Sequence, residues 1–372
     1  MVDPNASEWL KSQQKSSRRH RIIVLTIGIL ILLGILGGVV YFIKFKSGGT
    51  GPDSNSNGSN VGTGNNSSPN KYFTWDKKPV NLTIVPNPNL KNILYGINYG
   101  PVNASYPWCT NTLGDVIEDI KIVSQITNRI RLYGMDCHAV EWTLEAINLL
   151  KLNITIVPTI WVDNNDTTYQ RQYDDFFDVV NKYGVDKIDG VSVGNEVLFR
   201  KEIDPKVLYQ RIADVRKKIN SMGFKKTIPV FTSDLGSNVD QAFTDAVDQV
   251  WANIHPYFGG LDSKYAADWS FKFIDENNGY YAKKANKDSV ISEIGWPTAG
   301  DPHGEAIASI PDLQNFLNTF ICAANTKQVK YYYFETLDAP WKTARWTLLE
   351  GSWGLFSPEG VLKPTITFPN CN

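Results

Sequence analysis

The sequence carries almost no net charge and few metal-binding side chains. Its 37 basic and 38 acidic residues leave a formal net charge of −1 at pH 7, which gives no electrostatic footprint for a nucleic acid. The four histidines lack the spacing of metal ligands, and no HExxH motif occurs. We therefore expect no nucleic-acid partner, no catalytic metal and no cofactor.

Long apolar runs are absent except for one near the N-terminus. Residues 22–43 contain no charge and are long enough to cross roughly 30 Å of hydrocarbon. Lys44 and Lys46 follow this run, and more basic residues precede it: Lys11, Lys15, Arg18, Arg19 and Arg21. The positive-inside rule therefore predicts a cytoplasmic tail over residues 1–21 and a signal-anchor helix over 22–43 of a single-pass type II plasma-membrane protein. A buried core helix is the alternative, which the apolar character of every face disfavours.

The chain beyond this span is predicted to lie outside the membrane in two parts. Residues 44–88 read as a Ser/Asn/Gly-rich stalk and lead-in. Residues 89–372 are long enough for one large domain, and we favour a monomer. Sequons on this side predict N-glycosylation at Asn57, Asn65, Asn66, Asn81, Asn103, Asn153 and Asn165.

Apolar runs alternate with amphipathic segments through the folded domain. Eight β-branched runs occur at residues 93–100, 129–134, 154–162, 188–195, 227–233, 249–257, 289–295 and 329–336. Helical patterns lie between them at Asp115–Thr127, Glu141–Leu150, Tyr169–Lys182 and Pro205–Met222 and near 264–283 and 311–326. Continuous apolar strands alternating with helices indicate a parallel sheet covered on both faces, and eight repeats predict an α/β fold, the (β/α)₈ TIM barrel. An open doubly wound sheet would need a glycine-rich phosphate turn, which GINYGPVN is not.

Two of the apolar runs end in a glutamate. VSVGNEV places Glu196 at the end of the fourth strand, and VISEIGWPT places Glu293 at the end of the seventh. Catalytic groups of such barrels lie at the carboxyl ends of strands. A pair of carboxylates about 5–5.5 Å apart is what a retaining glycosidase uses, one as acid/base and the other as nucleophile.

Six ordered motifs resemble glycoside hydrolase family 17, the β-1,3-glucanases, and in particular its fungal membrane-anchored cell-wall members. They are LYGINYGP, IRLYGMDC, VSVGNEV, SEIGWPT, YYYFETLDAPWK and SWGLFSPEG. The resemblance implies that Glu196 is the acid/base, that Glu293 is the nucleophile and that Asn195 bonds the sugar 2-hydroxyl. It also implies a polar substrate-binding role for Glu335 and Lys342, for which a loop ion pair is the alternative. The implied activity is retaining endo-hydrolysis of β-1,3-glucan in the cell wall.

Four aromatic residues at or just past strand ends are candidates for stacking on the sugar: Tyr99, Tyr133, Tyr257 and Trp296. Core packing is the alternative for each. Asp136 and His138 are expected near the barrel mouth without an assigned role. The GxSxG match around Ser192 is not expected to be a serine-hydrolase elbow, because this serine lies inside a strand.

All four cysteines lie on the predicted outer side, where disulfides persist. Three pairings are possible, and no pair has the short spacing of a zinc site. We favour Cys109–Cys137 and Cys322–Cys371 because each pair would join neighbouring elements of the barrel. Free buried thiols are the alternative.

Several functions remain open from the sequence. A β-1,3-glucanosyltransferase would use the same two glutamates, with a glucan hydroxyl in place of water. A non-catalytic glucan-binding or wall-sensing protein would need only the binding cleft. Related barrels that cut cellulose or mannan also use an Asn-Glu acid, although GWPT and the set of ordered motifs argue against that substrate.

We predict that Glu196→Ala lowers laminarin turnover by about 10²–10⁴-fold, the usual contribution of a general acid. Substrates with activated leaving groups should lose less, because their leaving oxygen needs less protonation. Steady-state kinetics on both substrate types measures this difference. An equal loss on both would contradict the acid role.

Overall fold

The computed structural model describes residues 81–371. The predicted tail, the predicted membrane helix and the stalk up to residue 80 lie outside the described residues, as do Asn57, Asn65 and Asn66. Within residues 81–371, no helix has both the length and the apolar character needed to cross a bilayer. The structural description therefore concerns the predicted catalytic domain and the last part of its lead-in.

Parallel strands form one sheet at the centre of the domain. The strands are β1 (Gly96–Tyr99), β2 (Arg129–Leu132), β3 (Thr155–Val157), β4 (Thr159–Ile160), β5 (Val191–Asn195), β6 (Val230–Leu235), β7 (Val250–Asn253), β8 (Ser289–Ile294) and β9 (Lys330–Tyr333). Their order in the sheet is β3-β2-β1-β9-β8-β7-β6-β5-β4. Each of the eight predicted runs contains part or all of a strand.

The sheet nearly closes on itself at Pro158. The two ends of the strand order, β3 and β4, are separated in sequence by this residue alone. Proline has no N–H to give to a ladder, but its carbonyl accepts from the Ser192 N–H at 3.0 Å. Residues 155–160 therefore act as one interrupted strand, and the architecture is consistent with the predicted TIM barrel.

Helices follow the strands and cover the outside of the sheet. They are α1 (Leu113–Val123), α2 (Ala139–Leu149), α3 (Asp166–Tyr183), α4 (Val197–Arg200), α5 (Pro205–Ser221), α6 (Gln241–Ala246), α7 (Ala266–Glu276), α8 (Asn278–Lys284), α9 (Ile310–Thr326) and α10 (Pro340–Arg345). Side-chain hydrogen bonds cap the N-termini of several helices. Thr112 and Asp115 form a capping box on α1, and Asn165 and Asp204 cap α3 and α5.

Strand side chains alternate between the barrel interior and the helical layer. Asn98 and Arg131 are register partners on β1 and β2, and both donate to the Ser292 carbonyl inside the barrel, at 3.0 and 3.5 Å. Tyr99, one residue further, instead donates to Asp119 on α1 at 2.8 Å. The interior near the carboxyl ends of the strands is therefore polar, whereas the layer between strands and helices is apolar.

Both favoured disulfides are present in the structure. Cys109–Cys137 joins the loop after β1 to the turn after β2, and Cys322–Cys371 joins α9 to the C-terminal segment. Free thiols are absent, because these are all the cysteines of the sequence. The sequon asparagines within the described part are exposed: Asn81, Asn103, Asn153 and Asn165. Their glycosylation stays a prediction.

Candidate active site

A strained turn after β5 presents Glu196 at the barrel mouth. Gly194 has φ +84°, and a Cβ there would lie 2.5 Å from a neighbouring side chain, so this position favours glycine. Glu196 itself has φ 55° and ψ 30°, a conformation that costs a non-glycine residue about 1–3 kcal/mol. Backbone bonds hold it: Glu196 N–H donates to the Ser233 carbonyl at 2.8 Å, and Leu198 N–H donates to the Asp234 carboxylate at 2.8 Å.

Glu293 lies near the end of β8 and is only 4% exposed. A buried carboxylate stays ionised only when it is paired and hydrogen-bonded. His255 Nε2 lies 3.2 Å from its Oε2, and Arg131 Nη1 donates to its Oε1 at 3.1 Å. The His255 ring is packed edge-on against Phe334 and Trp353. Glu293 therefore has a donor on each oxygen.

Arg131 connects Glu293 to three other strands. Its side chain is fully buried. Nη1 also donates to Asn98 Oδ1 at 3.0 Å, and Nη2 donates to Asn195 Oδ1 at 2.8 Å and to Ser233 Oγ at 3.1 Å. The planar guanidinium suits such a set of fixed acceptors, so this one group sets the relative positions of several strand ends.

Asn253 links Glu196 to the same network. Its Nδ2 donates to Glu196 Oε1 at 2.9 Å and to Asn195 Oδ1 at 3.2 Å. Ser292 Oγ donates to Asn253 Oδ1 at 2.6 Å, which fixes the amide with its NH₂ group toward the glutamate. Asn253 thus links Glu196 to Asn195, and Arg131 links Asn195 to Glu293; the catalytic roles of these residues stay predictions.

The two glutamates have opposite pKa shifts. Burial raises the pKa of Glu196 to about 7, and the charge of Glu293 adds to this rise, while the bond from Asn253 opposes it. Burial alone would also raise the pKa of Glu293. The bond from His255 and the charge of Arg131 outweigh that effect and lower the pKa of Glu293 to about 2. Near neutrality the site therefore holds one largely ionised carboxylate and one that can carry a proton.

Glu335 and Lys342 form an ion pair beside this centre. Lys342 Nζ donates to Glu335 Oε1 at 2.8 Å. Burial raises the pKa of Glu335, which Lys342 opposes and Glu293 reinforces. Glu350 joins the same electrostatic group: burial raises its pKa, with Lys342 and His255 acting against the rise. A substrate-binding role for Glu335 and Lys342 stays a prediction.

Of the four predicted aromatic residues, Tyr133 lies in the site. The Arg131 guanidinium lies 4.7 Å from its ring centroid, and the ring meets Phe334 edge-on at 6.3 Å. Burial raises the pKa of Tyr133, and the charge of Glu293 raises it further. Its ring is half-buried, and a sugar-binding role for Tyr133 stays a prediction.

The stacking predictions for Tyr99, Tyr257 and Trp296 are wrong. All three side chains are fully buried and leave no face for a sugar. Tyr99 points outward to α1, Tyr257 donates to the Asp301 carbonyl, and Trp296 donates to the Ile307 carbonyl at 2.8 Å. The error in Tyr99 is one of parity, since neighbouring strand residues face opposite sides.

Asp136 and His138 form hydrogen bonds at the rim of the barrel. Asp136 accepts two bonds from Arg171, at 2.7 and 3.0 Å, and the Arg171 guanidinium lies 4.0 Å from the Tyr106 ring centroid. His138 Nδ1 lies 2.8 Å from the Glu141 carboxylate. These contacts hold the loop after β1 and the turn after β2, so both residues have structural partners there.

Sequence reasoning missed Arg131, Asn253 and His255 as site residues. The signals were present: Arg131 is a charge inside an apolar run, and His255 stands two residues after β7. Across residues 81–371 no group of three or more His, Cys, Asp or Glu side chains could hold a metal ion, and the expectation of no cofactor stays a prediction.

We predict that Glu293→Gln lowers the pKa of Glu196 from about 7, because a neighbouring negative charge disappears while burial remains. Asn253→Ala should raise it, because a bond that favours the charged form is lost. Carbon-13 NMR titration of labelled glutamate side chains measures both shifts. Glu145→Gln on α2 removes a distant carboxylate and serves as the control. A rise in Glu293→Gln would contradict the coupling.

The chain is similar to known glycoside hydrolases. Residues 96–354 match the BtgE/BtgC glycoside hydrolase domain. The probable glucan endo-1,3-beta-glucosidase btgC of Aspergillus flavus is 32% identical over 390 residues, covering 98% of this chain and 56% of that protein. The glucan endo-1,3-beta-glucosidase btgC of Emericella nidulans is 33% identical over 308 residues, covering 76% of this chain and 47% of that protein. The chain thus spans about half the length of these curated relatives.

Two solved glycan-processing enzymes share the fold of this chain. A glycoside hydrolase family 17 beta-1,3-glucanosyltransferase from Rhizomucor miehei superposes with a TM-score of 0.66 at 27% identity, covering 75% of this chain and 99% of the other. An endo-laminarinase from Formosa shares the fold, with a TM-score of 0.62 at 18% identity over 73% of this chain and 85% of the other. The family 17 resemblance is confirmed, and the chain belongs to the BtgE/BtgC glycoside hydrolase family.

Proposed function

We propose that the chain is a retaining, endo-acting β-1,3-glucan hydrolase of the cell wall. The observation that carries the proposal is the pair of glutamates in one network, with pKa values of about 7 and about 2. When the environments of two carboxyl groups shift their pKa values in opposite directions, the group with the raised pKa can act as the acid and the other as the nucleophile. The names of the btgC relatives support β-1,3-glucan as the substrate.

In the first step, an ionised oxygen of Glu293 attacks the anomeric carbon of a glucose unit. The bond from that carbon to the glycosidic oxygen breaks, and the proton of Glu196 passes to this oxygen as it leaves. The product is a glycosyl ester on Glu293 and a released chain with a new hydroxyl. Arg131 and His255 stabilise the charged carboxylate before attack and hold it in position.

In the second step, the ionised Glu196 removes a proton from water. The water oxygen forms a bond to the anomeric carbon, the ester bond to Glu293 breaks, and both glutamates return to their starting states. Two inversions give net retention of configuration. A raised pKa suits Glu196 because it must both give and take a proton near working pH.

Asn195 is proposed to bind the sugar 2-hydroxyl. Arg131 and Asn253 both donate to its Oδ1, at 2.8 and 3.2 Å, which fixes the orientation of the amide. Its Nδ2 then points away from these donors and can donate to the substrate. Glu335, Lys342 and Tyr133 are proposed to bind neighbouring hydroxyls and the sugar ring beside the reaction centre.

Transglycosylation is the second candidate. It differs only in the acceptor, a glucan hydroxyl that replaces water in the second step. The relative from Rhizomucor miehei, at 27% identity, is a beta-1,3-glucanosyltransferase, and an active-site mutant of that protein binds laminaritriose. The same network serves both reactions, so the outcome depends on how well the cleft holds a second sugar chain against water.

The cellular setting is part of the proposal. Residues 22–43 would anchor a type II protein in the plasma membrane and place a monomeric catalytic domain on the cell-wall side, where its glucan substrate lies. A wall sensor without activity would keep the cleft and lose the need for a protonated acid beside an ionised nucleophile. The opposite pKa shifts of Glu196 and Glu293 favour the enzyme.

Product analysis of the full-length chain on linear glucans tests the function. On laminarin we expect internal cleavage, with the β-anomer as the first product by proton NMR, and no cleavage of β-1,4-glucan or mannan. Glu293→Ala is the inactive control. Products longer than the substrate would indicate transfer. An α-anomer as first product would contradict the retaining mechanism, and no new reducing ends would favour the sensor.

A further inference from the structure

The segment after β9 exposes two tryptophans. Trp341 is 46% exposed and Trp346 is 50% exposed. Their ring centroids lie 5.3 Å apart and their planes are inclined by 57°. We call these two residues the tryptophan pair. Large aromatic side chains left exposed beside each other often mark a binding surface.

The tryptophan pair is continuous with the candidate active site. Lys342 directly follows Trp341 in the chain and donates to Glu335 at 2.8 Å. The Lys342 ammonium also lies 4.6 Å from the Phe334 ring centroid, and Phe334 packs against both Tyr133 and His255. A ligand bound by the two glutamates could therefore extend over Lys342 to the tryptophan pair.

Hydrogen bonds hold the segment that carries the tryptophan pair in place. Ala339 N–H donates to the Gly351 carbonyl at 3.0 Å, which joins the two ends of the segment. Trp346 N–H donates to the Lys342 carbonyl at 2.8 Å. Ser352 Oγ donates to the Leu348 carbonyl at 2.7 Å. The tryptophan pair is therefore positioned before a ligand arrives, which reduces the entropy lost on binding.

We propose that the tryptophan pair forms a further sugar subsite, which binds glucose units of a β-1,3-glucan chain whose neighbouring units occupy the reaction centre. This inference rests on the proposed function. The apolar C–H face of a pyranose stacks on an aromatic ring, while its hydroxyls need polar neighbours. Lys342 lies 5.8 Å from the Trp341 ring and Arg345 lies 5.8 Å from the Trp346 ring.

The inclination of the rings favours a 1,3-linked chain over a flat one. A 1,3-linkage turns each glucose ring relative to the next, so successive sugar faces are not coplanar. Two tryptophans inclined by 57° likewise present faces that are not coplanar. A flat β-1,4 ribbon would be matched by coplanar rings instead.

The test compares chain lengths in the double variant Trp341→Ala/Trp346→Ala of the full-length chain. We expect kcat/KM on long laminarin to fall about tenfold or more, the usual effect of losing one to two stacking contacts. The shortest laminari-oligosaccharide that the enzyme cleaves should keep its rate, because it does not reach the pair. The variant Trp341→Phe/Trp346→Phe should keep most of the wild-type kcat/KM, because a phenyl ring still stacks on a sugar. Tyr280→Ala, which removes a 55% exposed aromatic residue on α8, is the matched control.

Each other outcome overturns the subsite. An equal loss on all chain lengths would mean that the segment only supports the fold, and no loss would mean that the pair contacts no glucan. A changed oligomeric state with unchanged length dependence would make the pair a contact between copies of this chain. If the wild type cleaves no glucan, the proposed function fails, and calorimetric titration with laminarihexaose then decides the subsite. Equal binding by wild type and double variant would refute it.

Discussion

The site depends on one buried cation, the guanidinium of Arg131. It is fully buried, and it bonds Glu293 directly and Asn98, Asn195 and Ser233 around it. Leaving either partner of a buried ion pair alone costs several kcal/mol, so neither Arg131 nor Glu293 is free to change by itself. The polar interior at the carboxyl ends of the strands follows from this need to surround a charge with acceptors.

The same network gives two chemically identical side chains different pKa values. Glu293 is more buried than Glu196, yet it has the lower pKa, because His255 and Arg131 act on it directly. Glu196 receives a weaker bond, from the neutral Asn253 amide, and feels the charge of its neighbour. Burial raises both pKa values, and the positions of the donors decide which residue remains charged. Hydrogen bonds to Ser233 and Asp234 hold the strained turn at Glu196 in place.

Particular residues show what could be predicted from the sequence. The strands were predictable because parallel strands buried on both faces leave long apolar runs, and the glutamates because each ends such a run. The contacts of the aromatic residues could not be predicted from the sequence. Tyr99 was misassigned because nothing in its run says which of two neighbouring positions faces inward, whereas Trp341 and Trp346 lie in a segment without strand periodicity. His255 contacts Glu293 across 38 positions of sequence, a proximity that the pairing of β7 with β8 creates.

The central claim is that Glu293 becomes covalently bonded to the sugar during turnover. A β-1,3-linked disaccharide fluoride with fluorine at the 2-position of the reacting ring slows the second step and lets the ester accumulate. Peptide mapping by mass spectrometry of the full-length chain then locates the added mass. We expect a single labelled residue, Glu293, and no label in Glu293→Ala. A label on Glu196 or Glu335, or inactivation without any covalent adduct, would contradict it.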